Sequence, residues 1–386
     1  MPEPQFLLVE NGELYTPRHL GRGSVFAAAG RIVTTGEVDG DRLAACGEWM
    51  ERIDATGCAV LPGLLDPHEH LIGGSGERGF ESQTPEIFLH ELVEGGITTV
   101  VGCLGVDTST RTMQALLGKA KGLRAQGLSA FVYTGGYTVP PVTITGSPHD
   151  DILFIDEVIG IGETAISDRR SSRPSLPELA RLAGQAYTGG MLAGKAGVLH
   201  FHVGEDERRL TDVRALLDEY GIPAESLYPT HVERTPELFD EALQLTHRGV
   251  TVDIDVMEED LPKWVRRYRE HGGAPGKLTA SSDAAIVSPS ILLDQLRECV
   301  LGCGMPLEEV LPYVTANTAA ALKLGSKGRL AEGFDADVLV LEASSLTLRD
   351  VIAGGRILMR NGAVLVQEEF LKSSKRRFHL NASSKT

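Results

Sequence analysis

The sequence predicts an α/β fold, a (β/α)8 barrel of the TIM type with a small β-sandwich domain formed by the N- and C-terminal segments. Three observations carry this. After Pro62, strand-like segments alternate with helix-length ones until eight units are complete in roughly 250 residues, the expectation for such a barrel. Before that point, and again near the C-terminus, the chain reads only as short strands. Residue types able to bind metal recur where barrel strands should end. The expected domains are residues 1–61 plus 326–370 (small β domain), 62–325 (barrel) and 371–386 (flexible tail).

In chain order, residues 6–10 form an apolar strand followed by Asn11-Gly12, a hairpin signal. Residues 25–35 read as a strand pair broken at Gly30, and 51–60 as a third extended stretch, with no helix. The first barrel strand runs from Pro62 to the pair His68 and His70. Helices over 85–94, 110–126 and 176–193 separate strands over 97–102, 130–134, 152–161 and 198–202. Strands over 227–231, 250–254 and 278–283 complete the set. Residues 333–341 and 351–358 return to β-type sequence, with a second hairpin signal at Asn361-Gly362. A doubly wound open sheet is the alternative, but no Gly-rich dinucleotide fingerprint follows the first strand.

Composition narrows the function classes. Of the 386 residues 42% are hydrophobic and 23% charged, ordinary for a globular chain. A net charge of −16 argues against nucleic-acid binding, which wants a basic face. No apolar run approaches the ~18 residues of a membrane span, and the acidic start lacks the basic opening of a secretory signal. The five cysteines, Cys46, Cys58, Cys103, Cys299 and Cys303, are odd in number and scattered, which suits a reducing compartment. A cytoplasmic protein is expected, with Cys299 and Cys303 read as helix packing.

The chemistry starts at His68-Glu69-His70. Side chains alternate along a strand, so two imidazoles one residue apart face the same way and can grip one divalent ion. In a barrel, functional groups gather at the C-terminal ends of the strands. Glu163 lies just beyond strand four, His202 ends strand five, His231 strand six and Asp283 strand eight. Four histidines and two carboxylates on one rim suit two divalent ions, with zinc the best match. His200, deeper in strand five, reads as packing.

Pro62-Gly63, Asp66 and His68-Glu69-His70, with the later histidines and Asp283, resemble the amidohydrolase superfamily over essentially the whole chain. Thr134-Gly135-Gly136-Tyr137, Thr143-Ile144-Thr145-Gly146-Ser147, Ala165-Ile166-Ser167-Asp168 and Thr230-His231-Val232-Glu233-Arg234 are similar to isoaspartyl (β-aspartyl) dipeptidases. That resemblance implies hydrolysis of dipeptides linked through the aspartate side chain, and a homo-oligomer, possible sizes including an octamer. It also implies a carboxylated lysine between the two metals, yet no lysine lies between Lys121 and Lys195. Aligned on Ala165-Ile166-Ser167-Asp168, Glu163 takes that place, with Gly162 permitting the backbone adjustment a shorter arm needs and Glu157 as the fallback carboxylate.

A water shared by two divalent ions loses a proton near neutral pH and becomes the hydroxide nucleophile. By resemblance Tyr137 donates to the developing oxyanion, and Asp283 takes the proton from the attacking water and passes it to the leaving amine. Arg170 and Arg234 match carboxylate-binding arginines, with Arg169 able to exchange roles with Arg170. Glu77, in the glycine-rich loop that also carries Ser75, matches the acid that binds the substrate amine. Val106 and Val287 stand where relatives carry hydroxyls, unless Ser288 shifts by one, which makes the pocket more apolar. The alternatives are another amidohydrolase, such as a dihydroorotase-like cyclic amidase or an N-acetyl amino-sugar deacetylase, and a non-catalytic scaffold.

Overall fold

The computed structural model describes residues 6–44 and 50–375. Cys46, the tip of the N-terminus and residues 376–386 of the expected tail lie outside the described residues. Five strands open the chain: β1 (Phe6–Tyr15), β2 (His19–Ala28), β3 (Arg31–Gly36), β4 (Met50–Asp54) and β5 (Cys58–Pro62). Eight barrel strands follow: β6 (Leu64–Glu69), β7 (Ile97–Gly102), β8 (Ser129–Thr134), β9 (Val158–Ile166), β10 (Val198–Val203), β11 (Leu227–Thr230), β12 (Val252–Asp255) and β13 (Leu278–Ser281). The chain ends with β14 (Val338–Glu342), β15 (Leu348–Ala353), β16 (Arg356–Arg360) and β17 (Ala363–Val364).

The terminal strands form one mostly antiparallel sheet in the order β17-β16-β15-β14-β5-β1-β2-β3, with β4 also on β1. Its period-2 alternation serves two cores at once. Ala59 and Leu61 of β5, with Leu339 and Leu341 of β14, join the large core of the barrel and its helices. Cys58, Val60, Val338 and Val340 face the other way, into a smaller core with Leu7, Val9, Val25, Ile32 and Ile53. The sheet is thereby cemented to the barrel.

Strands β6 to β11 are parallel and hydrogen-bonded in order, and β12 pairs with β13. Isolated backbone contacts close the ring. Asp283 N–H donates to the His68 carbonyl and His70 N–H to the Ala284 carbonyl, both at 3.1 Å. Val232 N–H reaches the Asp253 carbonyl at 3.4 Å. Asp253 also links strands inside the barrel, accepting from the hydroxyls of Thr230 at 2.7 Å and of Thr279 and Ser281 at 2.5 Å.

Four local expectations are corrected. Asn11-Gly12 makes no hairpin turn: β1 runs through it with a shift of register against β2 between Val9 and Gly12. Asn11 takes a left-handed φ of 66° and donates to Asp54, while a Cβ on Gly12 would lie 2.4 Å from the Val60 side chain. Close packing on β5 therefore turns the signal into a bulge. Residues 152–154 belong to a helix, Pro148–Phe154, started by Ser147 as N-cap and Pro148 in its first turn. The fourth strand therefore begins at Val158 and includes Glu163. A short helix, Gly40–Ala44, also sits in a region read as strands only. Cys299 is buried, but Cys303 is exposed and does not pack.

Candidate metal centre and active site

Two of the six metal-binding candidates sit at strained corners. His231 and Asp283 follow the last residues of β11 and β13 at φ 61° and 48°. A left-handed non-glycine residue costs about 1–2 kcal/mol, so the surrounding packing must hold both corners. Glu163 lies within β9, preceded by Gly162. A Cβ on Gly162 would stand 2.7 Å from the His200 Cβ, so glycine is what lets β9 lie this close to β10.

All six residues converge, with Glu163 at the centre. One of its oxygens, Oε1, lies 3.5 Å from His70 Nε2. The other, Oε2, lies 3.6 Å from His68 Nε2, 3.0 Å from His202 Nδ1 and 3.6 Å from His231 Nε2. Asp283 Oδ1 is 3.2 Å from the Nε2 atoms of both His68 and His70. Burial pushes the Glu163 carboxyl up, but the facing His68 and His202 rings outweigh it and hold it well below the carboxylate range. Asp283 is held well down too, its burial outweighed by His68 and His70. Both are therefore ionised.

The donor set fits divalent cations. Glu163 Oε1 and His68 Nε2 are buried without a hydrogen-bond partner, a costly state unless something else satisfies them. The outward ring nitrogens, by contrast, are engaged. His231 Nδ1 lies 2.7 Å from Asp255, His202 Nε2 3.1 Å from Asp168, and His68 Nδ1 2.7 Å from His200. His70 Nδ1 is 3.8 Å from the Cys103 thiol. Histidines held from behind with the other nitrogen turned toward a shared carboxylate are the arrangement of ligands around an ion. His68, His70, Cys103 and Glu163 form one group with ligand-type spacing, Glu163, His202 and His231 a second, and His68, His231 and Asp283 a third.

A cavity of about 710 Å³ opens above these residues, lined among others by Ser75, Glu77, Tyr137, Arg170 and Arg234. Tyr137 hydroxyl lies 2.8 Å from His202 Nδ1. Arg170 is gripped by Asp168 through Nε at 3.0 Å and Nη2 at 2.8 Å, and its Nη1 reaches Glu77 at 3.1 Å. Arg169 is exposed and absent from the lining. Val106 and Val287 do not line the cavity either. Val287 packs against the barrel core, while its neighbours Ala285 and Ile286 face the cavity. Glu157 pairs with Lys121 at 2.9 Å and Arg124 at 3.2 Å and belongs to no metal-type group among the described residues.

Several residues here escaped the sequence reading. Asp255 ends β12 and was open to the strand-end rule, but that strand was placed over 250–254, one residue short. Asp168 closes the motif Ala165-Ile166-Ser167-Asp168, which by itself gives it no role. Glu233, buried in the cavity wall, has its carboxyl pushed well up by burial and then by Asp255. His200 and Cys103 carried no signal beyond their residue type.

Known proteins match this chain at several levels. A β-aspartyl dipeptidase from Fervidobacterium islandicum AW-1 superimposes with a TM-score of 0.90 at 38% identity, covering 94% of this chain and 99% of its own. The same enzyme solved with a β-Asp-Leu dipeptide gives 0.88 at 37% identity. An adenine deaminase from Geobacillus kaustophilus is 23% identical over 94% of this chain, which spans only 59% of that relative's length. An imidazolonepropionase from Myxococcus xanthus is 24% identical over 88% of this chain and 89% of its own length. Residues 59–358, the barrel with the strands that flank it, match the amidohydrolase family as a whole. With most of its length inside that match, this chain belongs to the amidohydrolase family.

Proposed function

We propose that this chain is a binuclear metal-dependent hydrolase of β-aspartyl dipeptides, with zinc as the preferred ion. The observation that carries the substrate reading is the Glu77–Arg170 pair, 3.1 Å apart at the cavity wall. An aspartate linked through its side chain keeps both its α-amine and its α-carboxylate free. A carboxylate beside a guanidinium is complementary to that zwitterionic end. Arg234 faces the same cavity and suits the carboxylate of the second residue. The likeness to the Fervidobacterium enzyme supports the same choice.

His68, His70, Glu163, His202, His231 and Asp283 would hold the ions, with Glu163 between them. Divalent ions held there would supply a water acidified toward neutral pH and a Lewis acid for the scissile carbonyl. Asp283, ionised and at the cavity edge, accepts the proton of the attacking water and returns it to the departing amine. Tyr137 donates its hydroxyl proton to the oxyanion that develops on the carbonyl, a contribution worth about 10²–10³ in kcat for a single donor. Ser75 lies beside Glu77, its hydroxyl 3.2 Å from that carboxylate, and orients it.

The test is turnover of β-Asp-Leu against α-Asp-Leu, hydantoin, an N-acetyl amino sugar and adenine, with metal content measured on the same sample. Hydrolysis of the β-linked dipeptide alone is expected. Turnover of the other amides without it would sink the reading. Asp283→Asn is expected to abolish turnover while leaving the metal content nearly unchanged; retained activity would remove its proton-transfer role.

A further inference from the structure

His200 is fully buried on the inner face of β10, one alternation below His202. Its ring packs between Tyr133 and Tyr228, with centroids 4.7 and 4.9 Å away. Its Nδ1 lies 2.8 Å from the Tyr228 carbonyl oxygen, and its Nε2 lies 2.7 Å from His68 Nδ1. A carbonyl oxygen can only accept, so His200 Nδ1 carries the proton. In a neutral imidazole the other nitrogen then holds a lone pair. His200 Nε2 must accept, and His68 Nδ1 must donate. With the Nδ1 proton committed to His200, a neutral His68 has its lone pair on Nε2, the buried atom with no hydrogen-bond partner, which faces Glu163 and Asp283.

We propose that His200 is a positioning residue that fixes His68 in the tautomer able to bind a divalent cation, using the Tyr228 carbonyl as its own anchor. His231 is backed by Asp255, whose charge would hold the outward ring proton unaided, and His202 by Asp168, with Arg170 Nη2 also 3.0 Å from that nitrogen. Among the described residues no carboxylate stands behind His68, whose Nδ1 meets His200 instead. Its orientation comes from a relay through a second imidazole that touches neither cavity nor substrate. Gly162 is part of the device, since a side chain there would collide with His200. This assignment rests on the metal-centre reading above.

The test compares the unmodified protein with His200→Phe and His200→Gln. Phenylalanine keeps a ring between the tyrosines but cannot accept; glutamine places an acceptor oxygen near the position of Nε2. Each protein, stripped of metal, is titrated with zinc against a chelating dye. One of two zinc affinities is expected to fall about 10–100-fold in His200→Phe and to be largely restored in His200→Gln. Equal losses in both variants, or none in either, would overturn the proposal. If His200→Phe does not fold, histidine ¹⁵N NMR of the unmodified zinc-loaded protein decides. Protons on His68 Nδ1 and His200 Nδ1 are expected, and an unprotonated His68 Nδ1 overturns the relay. Failure of the unmodified protein to bind zinc at all would instead remove the metal reading, and this assignment with it.

Discussion

A carboxylate can join two cations only if it is ionised and both its oxygens are free of protein donors that would hold them elsewhere. Glu163 has its oxygens divided between the His70 side and the His202 and His231 side, and Oε1 has no hydrogen-bond partner. Glutamine at this position keeps the size and one oxygen but loses the charge. Glu163→Gln is therefore expected to retain fewer than two ions per chain by metal analysis. Its kcat should drop by at least about 10²-fold, the upper end of what losing a ligand's outer partner costs. Two tightly held ions in this variant would refute the central role. The six ligand candidates were legible in the sequence because each lies at or near a strand end, and strand ends in a barrel share one rim. Their supporting partners were not. His68 and His200 are 132 residues apart, and His231 and Asp255 are 24 apart on adjacent strands. Such pairings depend on how far side chains reach across the barrel, which residue spacing does not encode.

Tyr137 sits on the loop that leaves β8, and one buried carboxylate ties the two ends of that loop together. Asp151, on the helix Pro148–Phe154, accepts from the Thr134 hydroxyl at 2.6 Å, the Ile144 N–H at 2.9 Å, and the Thr145 N–H and hydroxyl at 2.7 Å. It is fully buried, so removing it strands several donors at once. Asp151→Ala is expected to lower stability by about 2–4 kcal/mol and to reduce kcat more than it raises KM, because Tyr137 loses its fixed position. Denaturant unfolding and steady-state kinetics on one preparation check both. Destabilisation with unchanged kcat would show that the loop holds its shape without the tether. This helix is also where sequence reading failed. The apolar run Ile152, Leu153, Phe154 and Ile155 suits either a strand or one face of a helix, and periodicity over so few residues cannot separate them. The capping pair Ser147-Pro148 decides it. The long helix Leu176–Ala193 was placed to the residue, since eighteen residues carry enough periods and end at Gly194 in a left-handed turn.

Across the whole molecule, the candidate ligands come from β6, β9, β10, β11 and β13, and so span the place where the barrel closes on itself. Between β13 and β6 no continuous ladder forms among the described residues; the seam is held by backbone bonds around His68, His70, Asp283 and Ala284. Ions shared by His68, His70 and Asp283 would therefore join the two sides of that seam. Because such ions bind the folded chain, each contributes about 4 kcal/mol when present at about 1,000 times its dissociation constant. Unfolding entropy for a chain of 386 residues converts that to about 5 °C in Tm per ion. Chelation is expected to lower Tm by about 5–10 °C in calorimetry. The loss should also be local. Amide hydrogen exchange is expected to quicken first at the seam, in β6, β13 and residues 283–284, while β7 and β8, paired on both sides, keep their protection. A uniform rise in exchange across all barrel strands, or protection of the seam that chelation leaves untouched, would show that the ring closes without help from bound metal.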